Sequence, residues 1–180
     1  MSIYIALLRG INVGGKNLLP MKELTAILED LGAQRVKTYI QSGNAVFVSS
    51  PANASSLATR ISREIKKRRG FEPQVLLLEV QELLKAMKQN PFSEPSIDPA
   101  SLHVSFLVSA PTKPDLEALA SLKTASERFE LIDQVFYLHA PAGVGRSKVA
   151  AKVARLLGVS MTDRNWRTVC KIRQMVEDLS

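Results

Sequence analysis

The sequence has few of the residues that most often carry catalysis or bind metal. Its 180 residues include one cysteine, Cys170, and two histidines, His103 and His139. A single cysteine excludes a disulfide within the chain, and these three residues do not have the spacing of a zinc motif. Both histidines fall in predicted strands, and no carboxylate is spaced along the sequence to orient either imidazole. The sequence therefore assigns no enzymatic activity, no metal site and no cofactor.

Long apolar segments are also absent. The longest runs, at residues 3–8 and 75–78, are far shorter than the ~20 residues that cross a bilayer. The start also lacks the basic and then apolar layout of a signal peptide. We therefore expect a cytoplasmic protein without a membrane partner. A hydrophobic fraction of 46% with 23% charged residues is typical of an ordinary globular protein with enough apolar material for a core.

The net charge of +7 is distributed unevenly along the chain. Residues 1–79 carry 11 basic and 6 acidic side chains, residues 80–142 carry 5 and 8, and residues 143–180 carry 8 and 3. Two basic ends around a slightly acidic middle are expected if the ends meet at an anionic partner. A pI near 9.7 is equally consistent with a surface charge that only keeps the protein in solution.

The first half of the chain has the element order β-α-β-β-α-β. This order is the split βαβ, or ferredoxin-like, arrangement, in which two helices cover one face of a four-stranded antiparallel sheet. It is read from the spacing of apolar residues and from glycine and proline stops. The predicted elements are a strand at 3–8, a helix between Pro20 and Gly32, strands at 36–41 and 45–48 joined through Ser42-Gly43-Asn44, a helix after Asn53 that ends at Gly70, and a strand at 74–80.

The second half partly repeats this order. Strands are predicted at 102–108, 129–132 and 135–139 and helices at 114–122 and 147–157, with a final helix, capped by Thr162 or Asp163, in place of the eighth strand. The sequence therefore predicts an α+β fold of two packed ferredoxin-like (split βαβ) subdomains, the second incomplete and closed by a C-terminal helix. Their predicted bounds are 1–89 and 100–180, with a proline-bearing connector at 90–99.

The segment Arg9–Asn17, RGINVGGKN, is the most informative stretch. Its three glycines allow close approach of a ligand, and its backbone N–H groups can point at phosphate or carboxylate. G-x-x-x-x-G-K-N is one residue from the phosphate-binding P-loop pattern, but Asn17 replaces the hydroxyl that holds Mg²⁺, and Pro20 delays the helix. The predicted strand order is also not the parallel one of P-loop enzymes. The interpretations that remain are an anion-binding loop, a purely structural turn and, least favoured, a nucleotide-hydrolysing P-loop.

Three further polar segments follow apolar elements, at 41–44, 145–148 and 164–166. Glycines and cations at a helix start favour an anion, and clefts between subdomains are common ligand sites. We predict that all four segments converge on one cleft that binds a phosphorylated small molecule, a nucleotide or a nucleic-acid end. The predicted ligand-binding residues are Arg9, Gly10, Asn12, Gly14, Gly15, Lys16, Asn17, Gln41, Ser42, Asn44, Gly145, Arg146, Ser147, Lys148, Arg164, Asn165 and Trp166.

The alternative partner is nucleic acid, bound without chemistry. The second predicted helix has a cationic face from Arg60 to Arg69, and the element order is also that of RNA-recognition modules, with Tyr4 where a base would stack. The third strand lacks the expected stacking aromatics, since Asn44, Val46 and Ser49 stand at those positions. This alternative therefore depends on phosphate contacts. In a third interpretation, the polar loops are only turns of an interaction protein.

Four motifs together resemble a bacterial family known as domain of unknown function 1697. They are ALLRGINVGGKN at 6–17, TYIQSGN at 38–44, GRSK at 145–148 and RNWRT at 164–168. The resemblance extends over essentially the whole chain. It implies a duplicated ferredoxin-like architecture, in agreement with the element order, and it implies no activity.

Overall fold

The computed structural model describes residues 1–50 and 53–180. The chain divides into two compact units. Unit 1 comprises Met1–Lys85 and Lys171–Ser180, and unit 2 comprises Ala86–Cys170. Unit 1 is therefore built from two stretches that lie far apart in the sequence.

Unit 1 contains a four-stranded antiparallel sheet with the order β2-β3-β1-β4. The helices form where the sequence predicts them, because apolar residues at helical spacing face the sheet and residues at the helix ends favour initiation or termination. Asn53 caps the second helix by accepting a hydrogen bond from the Ser56 N–H, and Gly70 ends it in the left-handed conformation. The elements of unit 1 are β1 (Ser2–Arg9), α1 (Met21–Asp30), β2 (Gln34–Tyr39), β3 (Asn44–Ser49), α2 (Ala54–Arg69), β4 (Gln74–Glu79) and the start of α3 (Val80–Lys88).

The core of unit 1 lies between the sheet and the two helices. Tyr4, Ala6 and Leu8 alternate along β1 and point into this core. The Tyr4 side chain is 2% exposed, and its ring lies 6.1 Å from that of Phe47. The interpretation of Tyr4 as a base-stacking residue is therefore wrong, because its ring is part of the hydrophobic core.

Unit 2 repeats the same sheet order, β6-β7-β5-β8, with every pair antiparallel. Its core contains Leu107, Phe136, Leu138 and Val149. Each unit thus has the ferredoxin-like arrangement, and the predicted fold class is confirmed. The elements of unit 2 are the end of α3, β5 (Leu102–Leu107), α4 (Leu116–Leu122), β6 (Arg128–Ile132), β7 (Val135–His139), α5 (Lys148–Leu157), β8 (Met161–Asn165) and the start of α6 (Trp166–Glu177).

The eighth strand corrects one detail of the prediction, in which a helix replaced it. The sequence of β8, MTDRN, is short and mostly polar, so its composition does not predict a strand. It forms because β5 offers a free edge, with Thr162 opposite Phe106 in the register. The helix begins only at Trp166, and Asn165, rather than Thr162 or Asp163, caps it by accepting the Arg167 N–H at 3.0 Å.

The last ten residues return to unit 1 and contact an irregular part of β2. Arg35 has a positive φ of 53°, where the pairing of β2 with β3 shifts register. Its Nη1 donates to the Leu179 carbonyl at 2.7 Å, and Lys37 Nζ lies 3.3 Å from an Asp178 carboxylate oxygen. These contacts stabilise a backbone conformation that L-residues rarely adopt.

No helix within residues 1–50 or 53–180 combines the length and hydropathy needed to span a bilayer.

Candidate functional site

The glycine-rich loop between β1 and α1 forms a small hairpin. Val13 and Lys16 pair as an isolated antiparallel bridge, and Gly14 and Gly15 between them have φ values of 57° and 73°. Two successive positive φ angles define a type I′ turn, which glycine adopts without a steric penalty. In the part of the chain that the structure describes, the N–H groups of these two glycines donate no hydrogen bond, and Lys16 has no carboxylate partner. The hairpin tip therefore offers two donors and one cation to solvent.

Asn12 fixes the shape of this loop. Its Nδ2 donates to the Leu19 carbonyl at 2.9 Å and to the Gln41 carbonyl at 2.7 Å, and its Oδ1 accepts from the Leu19 N–H at 2.8 Å. Asn17 Nδ2 similarly donates to the Gly10 carbonyl at 2.9 Å. Both amide hydrogens of Asn12 are used within the protein, so this side chain shapes the loop.

The turn between β2 and β3 lies directly against the loop. The Leu8 N–H donates to the Gly43 carbonyl at 2.8 Å, and Asn44, which is fully buried, donates from Nδ2 to the Tyr39 carbonyl at 3.0 Å. Gly43 has a φ of 84°, and a Cβ added there would lie 2.7 Å from both Leu8 Cβ and Ile11 Cδ1. The structure therefore brings the first two predicted segments, 9–17 and 41–44, together in unit 1.

A cleft of about 450 Å³ lies beside the loop. This volume falls within the range of roughly 300–1,000 Å³ that is usual for small-molecule sites, but the cleft is shallow, open to solvent and lined mainly by polar groups. Of the predicted ligand-binding residues, Asn17 lines it. The remaining wall comes from Leu18 and from the end of α2, which the sequence analysis did not single out as part of a pocket. The lining residues are Asn17, Leu18, Arg68, Arg69, Gly70 and Phe71.

Two guanidinium groups are held at this cleft. Arg69 Nε donates to the Leu18 carbonyl at 2.9 Å, and its Nη1 lies 3.4 Å from a Glu23 carboxylate oxygen. Arg68 donates from Nη2 to Asp30 at 2.7 Å and from Nε to Glu64 at 3.1 Å. Hydrogen bonds first to Asp30 and then to Glu64 raise the pKa of Arg68. Hydrogen bonds and ion pairs therefore hold both guanidinium groups in defined positions at the wall of the cleft.

The cationic face of α2 is largely neutralised by carboxylates. Lys66 lies 2.7 Å from Glu72, and Lys67 lies 3.1 Å from Glu64. Hydrogen bonds from Lys67 and then Arg68 lower the pKa of Glu64. Since these carboxylates accompany the cations, the face carries less net charge than its sequence suggests.

The predicted segment at 145–148 ends at Lys148, the first residue of α5 in unit 2. Ser147 caps this helix by accepting from the Ala150 N–H at 3.1 Å, and it is also hydrogen bonded to the Glu127 carboxylate. Glu127 is 3% exposed and accepts from the Thr124 N–H at 2.8 Å. Burial raises the pKa of Glu127, but the hydrogen bonds from Ser147 and Thr124 outweigh it and the pKa is lowered overall. A negative charge of the protein therefore already lies at this helix start.

The predicted segment at 164–166 lies at the end of β8. Arg164 is 8% exposed, its Nη1 donates to the Asp163 carbonyl at 2.8 Å, and burial lowers its pKa to about 10. Asn165 Nδ2 donates to the Ala100 carbonyl at 2.8 Å. The carbonyl of Ser101, the residue after Ala100, accepts a hydrogen bond from the Ala140 N–H at 2.8 Å. The segments at 145–148 and 164–166 thus lie at the same end of the sheet in unit 2. The convergence of all four segments stays a prediction.

Sequence reasoning missed a histidine–carboxylate contact in unit 2. Asp163 lies 2.8 Å from His103 Nδ1 through one oxygen and accepts the Ser105 hydroxyl at 3.0 Å through the other. The expectation that no carboxylate orients either histidine is therefore wrong for His103. The two residues are 60 positions apart, and only the pairing of β5 with β8 brings them together.

The other histidine, His139, lies in a partly buried cluster in the same unit. Its ring centroid is 6.3 Å from that of Phe92, and Arg128 lies over the Phe92 ring at 4.9 Å and 2.7 Å from Glu94. Within the described residues, His139 Nδ1 is buried without a hydrogen-bond partner. Burial, and then the positive charge of Arg128, lower the pKa of His139 against the opposing effect of Glu94.

Comparisons with known proteins give a family and a structural relative. The model of a family described as protein of unknown function (DUF1697) matches residues 1–137. The solved structure of the conserved bacterial protein SP0830 from Streptococcus pneumoniae is similar to this chain, with a TM-score of 0.72 and 27% sequence identity. The match covers 97% of this chain and 98% of that one. A search of curated proteins gave no match.

Proposed function

The chain belongs to the DUF1697 family of proteins of unknown function, and we propose that its unit 1 binds a phosphate-bearing small molecule. The observation that carries this proposal is the cleft of about 450 Å³ in which Arg68 and Arg69 stand beside the end of the glycine-rich loop. Guanidinium groups pair with phosphate oxygens through strong, charge-assisted hydrogen bonds of fixed geometry.

Each arginine keeps a free donor while its other nitrogens hold it in place. Arg68 uses Nε and Nη2, and Arg69 uses Nε and Nη1, so Arg68 Nη1 and Arg69 Nη2 donate to no residue that the structure describes. An anion in the cleft can therefore bind without displacing the existing contacts. Because the side chains are already ordered, little further conformational entropy is lost on binding.

The hairpin tip supplies a second set of donors on the same loop. The unused N–H groups of Gly14 and Gly15 and the cation of Lys16 precede Asn17, which lines the cleft. Successive backbone N–H groups in a turn favour bound anions. This arrangement supports a ligand with a charged group at the cleft rather than a ligand that is wholly apolar.

Ligand-induced thermal stabilisation tests the proposal. Inorganic phosphate, pyrophosphate and ribose 5-phosphate are titrated, and binding to the folded state raises the melting temperature, by the equivalent of about 2.7 kcal/mol at a hundred times the dissociation constant. Arg69→Gln is expected to lose this response. Arg60→Gln, on the same helix with the same charge change and outside the cleft, is expected to keep it.

The unliganded melting temperature of each variant is measured first, because Arg69 also holds the Leu18 carbonyl. Absence of any shift in the wild-type protein, or equal loss in both variants, would contradict the proposal. Binding to long polynucleotides that weakens steeply with salt, without a response to the small phosphates, would instead support the nucleic-acid alternative.

A further inference from the structure

We infer that the ligand of this cleft is a small molecule with two separate phosphate groups, one bound by the arginines and one by the hairpin tip. This inference rests on the function proposed above. The cleft is shallow, open to solvent and lined mainly by polar groups, so a ligand gains little there from covering apolar surface. Its affinity must come from charge-assisted hydrogen bonds. The number and position of the available donors therefore indicate the class of ligand.

The first set of donors lies in the wall of the cleft. Arg68 Nη1 and Arg69 Nη2 donate to no residue that the structure describes, whereas the other guanidinium nitrogens are engaged. Each arginine thus offers one nitrogen to an anion, and a phosphate presents several oxygens. One phosphate group is therefore enough to fill this set.

The second set of donors lies at the hairpin tip, on the same loop. The two residues of its turn, Gly14 and Gly15, have N–H groups that donate to no described residue, and Lys16 follows them directly. Two residues of chain span at most about 7 Å, so the Cα of Gly15 lies within that distance of the Cα of Asn17, which lines the cleft. A small molecule in the cleft can therefore extend to the tip.

The two sets are held at different points of the loop. Arg69 Nε is anchored at the Leu18 carbonyl, three residues after Gly15. A single phosphate bound by both arginines would therefore leave the N–H groups of the tip without an acceptor. A second phosphate on the same molecule supplies one, and it binds at a high effective concentration because the first phosphate already holds the ligand.

The two sets also differ in the carboxylates beside them. Asp30 and Glu23 accompany the arginines. Lys16, by contrast, is exposed and has no carboxylate partner among residues 1–50 and 53–180. Since no described carboxylate competes for Lys16, an anion at the tip meets an unpaired ammonium group together with successive backbone N–H groups.

Calorimetric titration with fructose 1,6-bisphosphate, fructose 1-phosphate and fructose 6-phosphate tests the second group. We expect the bisphosphate to bind at least about tenfold more tightly than either monophosphate, because it adds charge-assisted hydrogen bonds at the tip. Lys16→Gln is expected to weaken the bisphosphate about three- to fivefold and to leave both monophosphates unchanged. Lys152→Gln is the matched control, since Lys152 is also exposed and without a described carboxylate partner but lies on α5 in unit 2.

The amide resonances of the tip give a direct readout. In nitrogen–proton NMR spectra, the backbone signals of Gly14 and Gly15 should shift with the bisphosphate and not with saturating amounts of either monophosphate. The Nε signals of Arg68 and Arg69 should shift with all three compounds. All titrations are made at one ionic strength, because salt screens exposed charges.

The possible failures are distinguishable. Equal affinity for the three compounds, with loss of all three in Arg69→Gln, overturns the second phosphate and keeps the function proposed above. Equal weakening of the bisphosphate by Lys16→Gln and Lys152→Gln, or unshifted signals of Gly14 and Gly15, overturns the role of the tip. Binding by none of the three overturns the inference, and it overturns the proposed function as well if inorganic phosphate also fails to bind.

Discussion

Replacement of Gly43 by alanine tests the contact between the glycine-rich loop and the turn after β2. Gly43 has a φ of 84°, and an alanine Cβ there would lie 2.7 Å from Leu8 Cβ and from Ile11 Cδ1. Leu8 Cβ is attached directly to a central strand and cannot rotate away. The substitution therefore forces the turn and the loop apart or distorts β1.

Two contributions set the expected loss of stability. The left-handed conformation costs a residue with a Cβ roughly 1–2 kcal/mol. The collision adds the cost of overpacking a filled core, typically about 1–3 kcal/mol. Together they give a loss of about 2–5 kcal/mol, which is a large part of the stability of a small unit.

Gly15→Ala is the control for the conformational contribution alone. Gly15 has a similar φ of 73°, but a Cβ added there meets no atom within 4 Å. The difference between the two variants in the free energy of unfolding, measured by urea titration, should therefore be about 1–3 kcal/mol. Hydrogen exchange at the Leu8 amide, which donates to the Gly43 carbonyl, should accelerate in Gly43→Ala and not in Gly15→Ala. Equal losses of stability would refute the close approach of the turn to the loop.

Two further predictions concern stability in each unit. Asn12→Ala should lower the free energy of unfolding in urea by about 2–4 kcal/mol, because it removes three hydrogen bonds and leaves the buried Leu19 amide unpaired. Asn17→Ala removes one exposed hydrogen bond and should lower it by at most half as much. Equal losses would contradict the role of Asn12 in holding the loop. Burial, and then the charge of Arg128, lower the pKa of His139 in the folded protein, so the unfolded chain takes up a proton at this residue first and the protein should lose stability as the pH falls below about 6.5. His139→Leu should therefore reduce the decrease in the urea midpoint between about pH 7.5 and pH 5.5. An unchanged decrease would exclude His139 as its source.

The helices and most strands could be predicted because their signals are local. Helix α2 shows this, since its apolar stripe, the Asn53 cap and the Gly70 stop are all written within the segment itself. Strand β8 could not be predicted, because its polar residues pair only when β5 presents an edge. Local signals therefore predict helices and most strands well, but they do not predict a strand that forms only by pairing with a distant part of the chain.

The same distinction applies to the candidate site. Gly14 and Gly15 adopt positive φ angles that other residues rarely tolerate, so the presence of a tight turn was visible in the sequence. The other wall of the cleft was not, because Arg69 reaches the Leu18 carbonyl across 51 positions. A basic run at the end of an amphipathic helix is indistinguishable from a solvated face until the packing of that helix is known.

The discontinuity of unit 1 has a consequence for biosynthesis. Arg35 leaves the ribosome long before Leu179 and Asp178, which supply its acceptors. During translation, Arg35 in the irregular segment of β2 therefore lacks these acceptors until about 140 further residues have been added. We expect a fragment cut after residue 85 to gain stability when a peptide corresponding to residues 171–180 is added in trans.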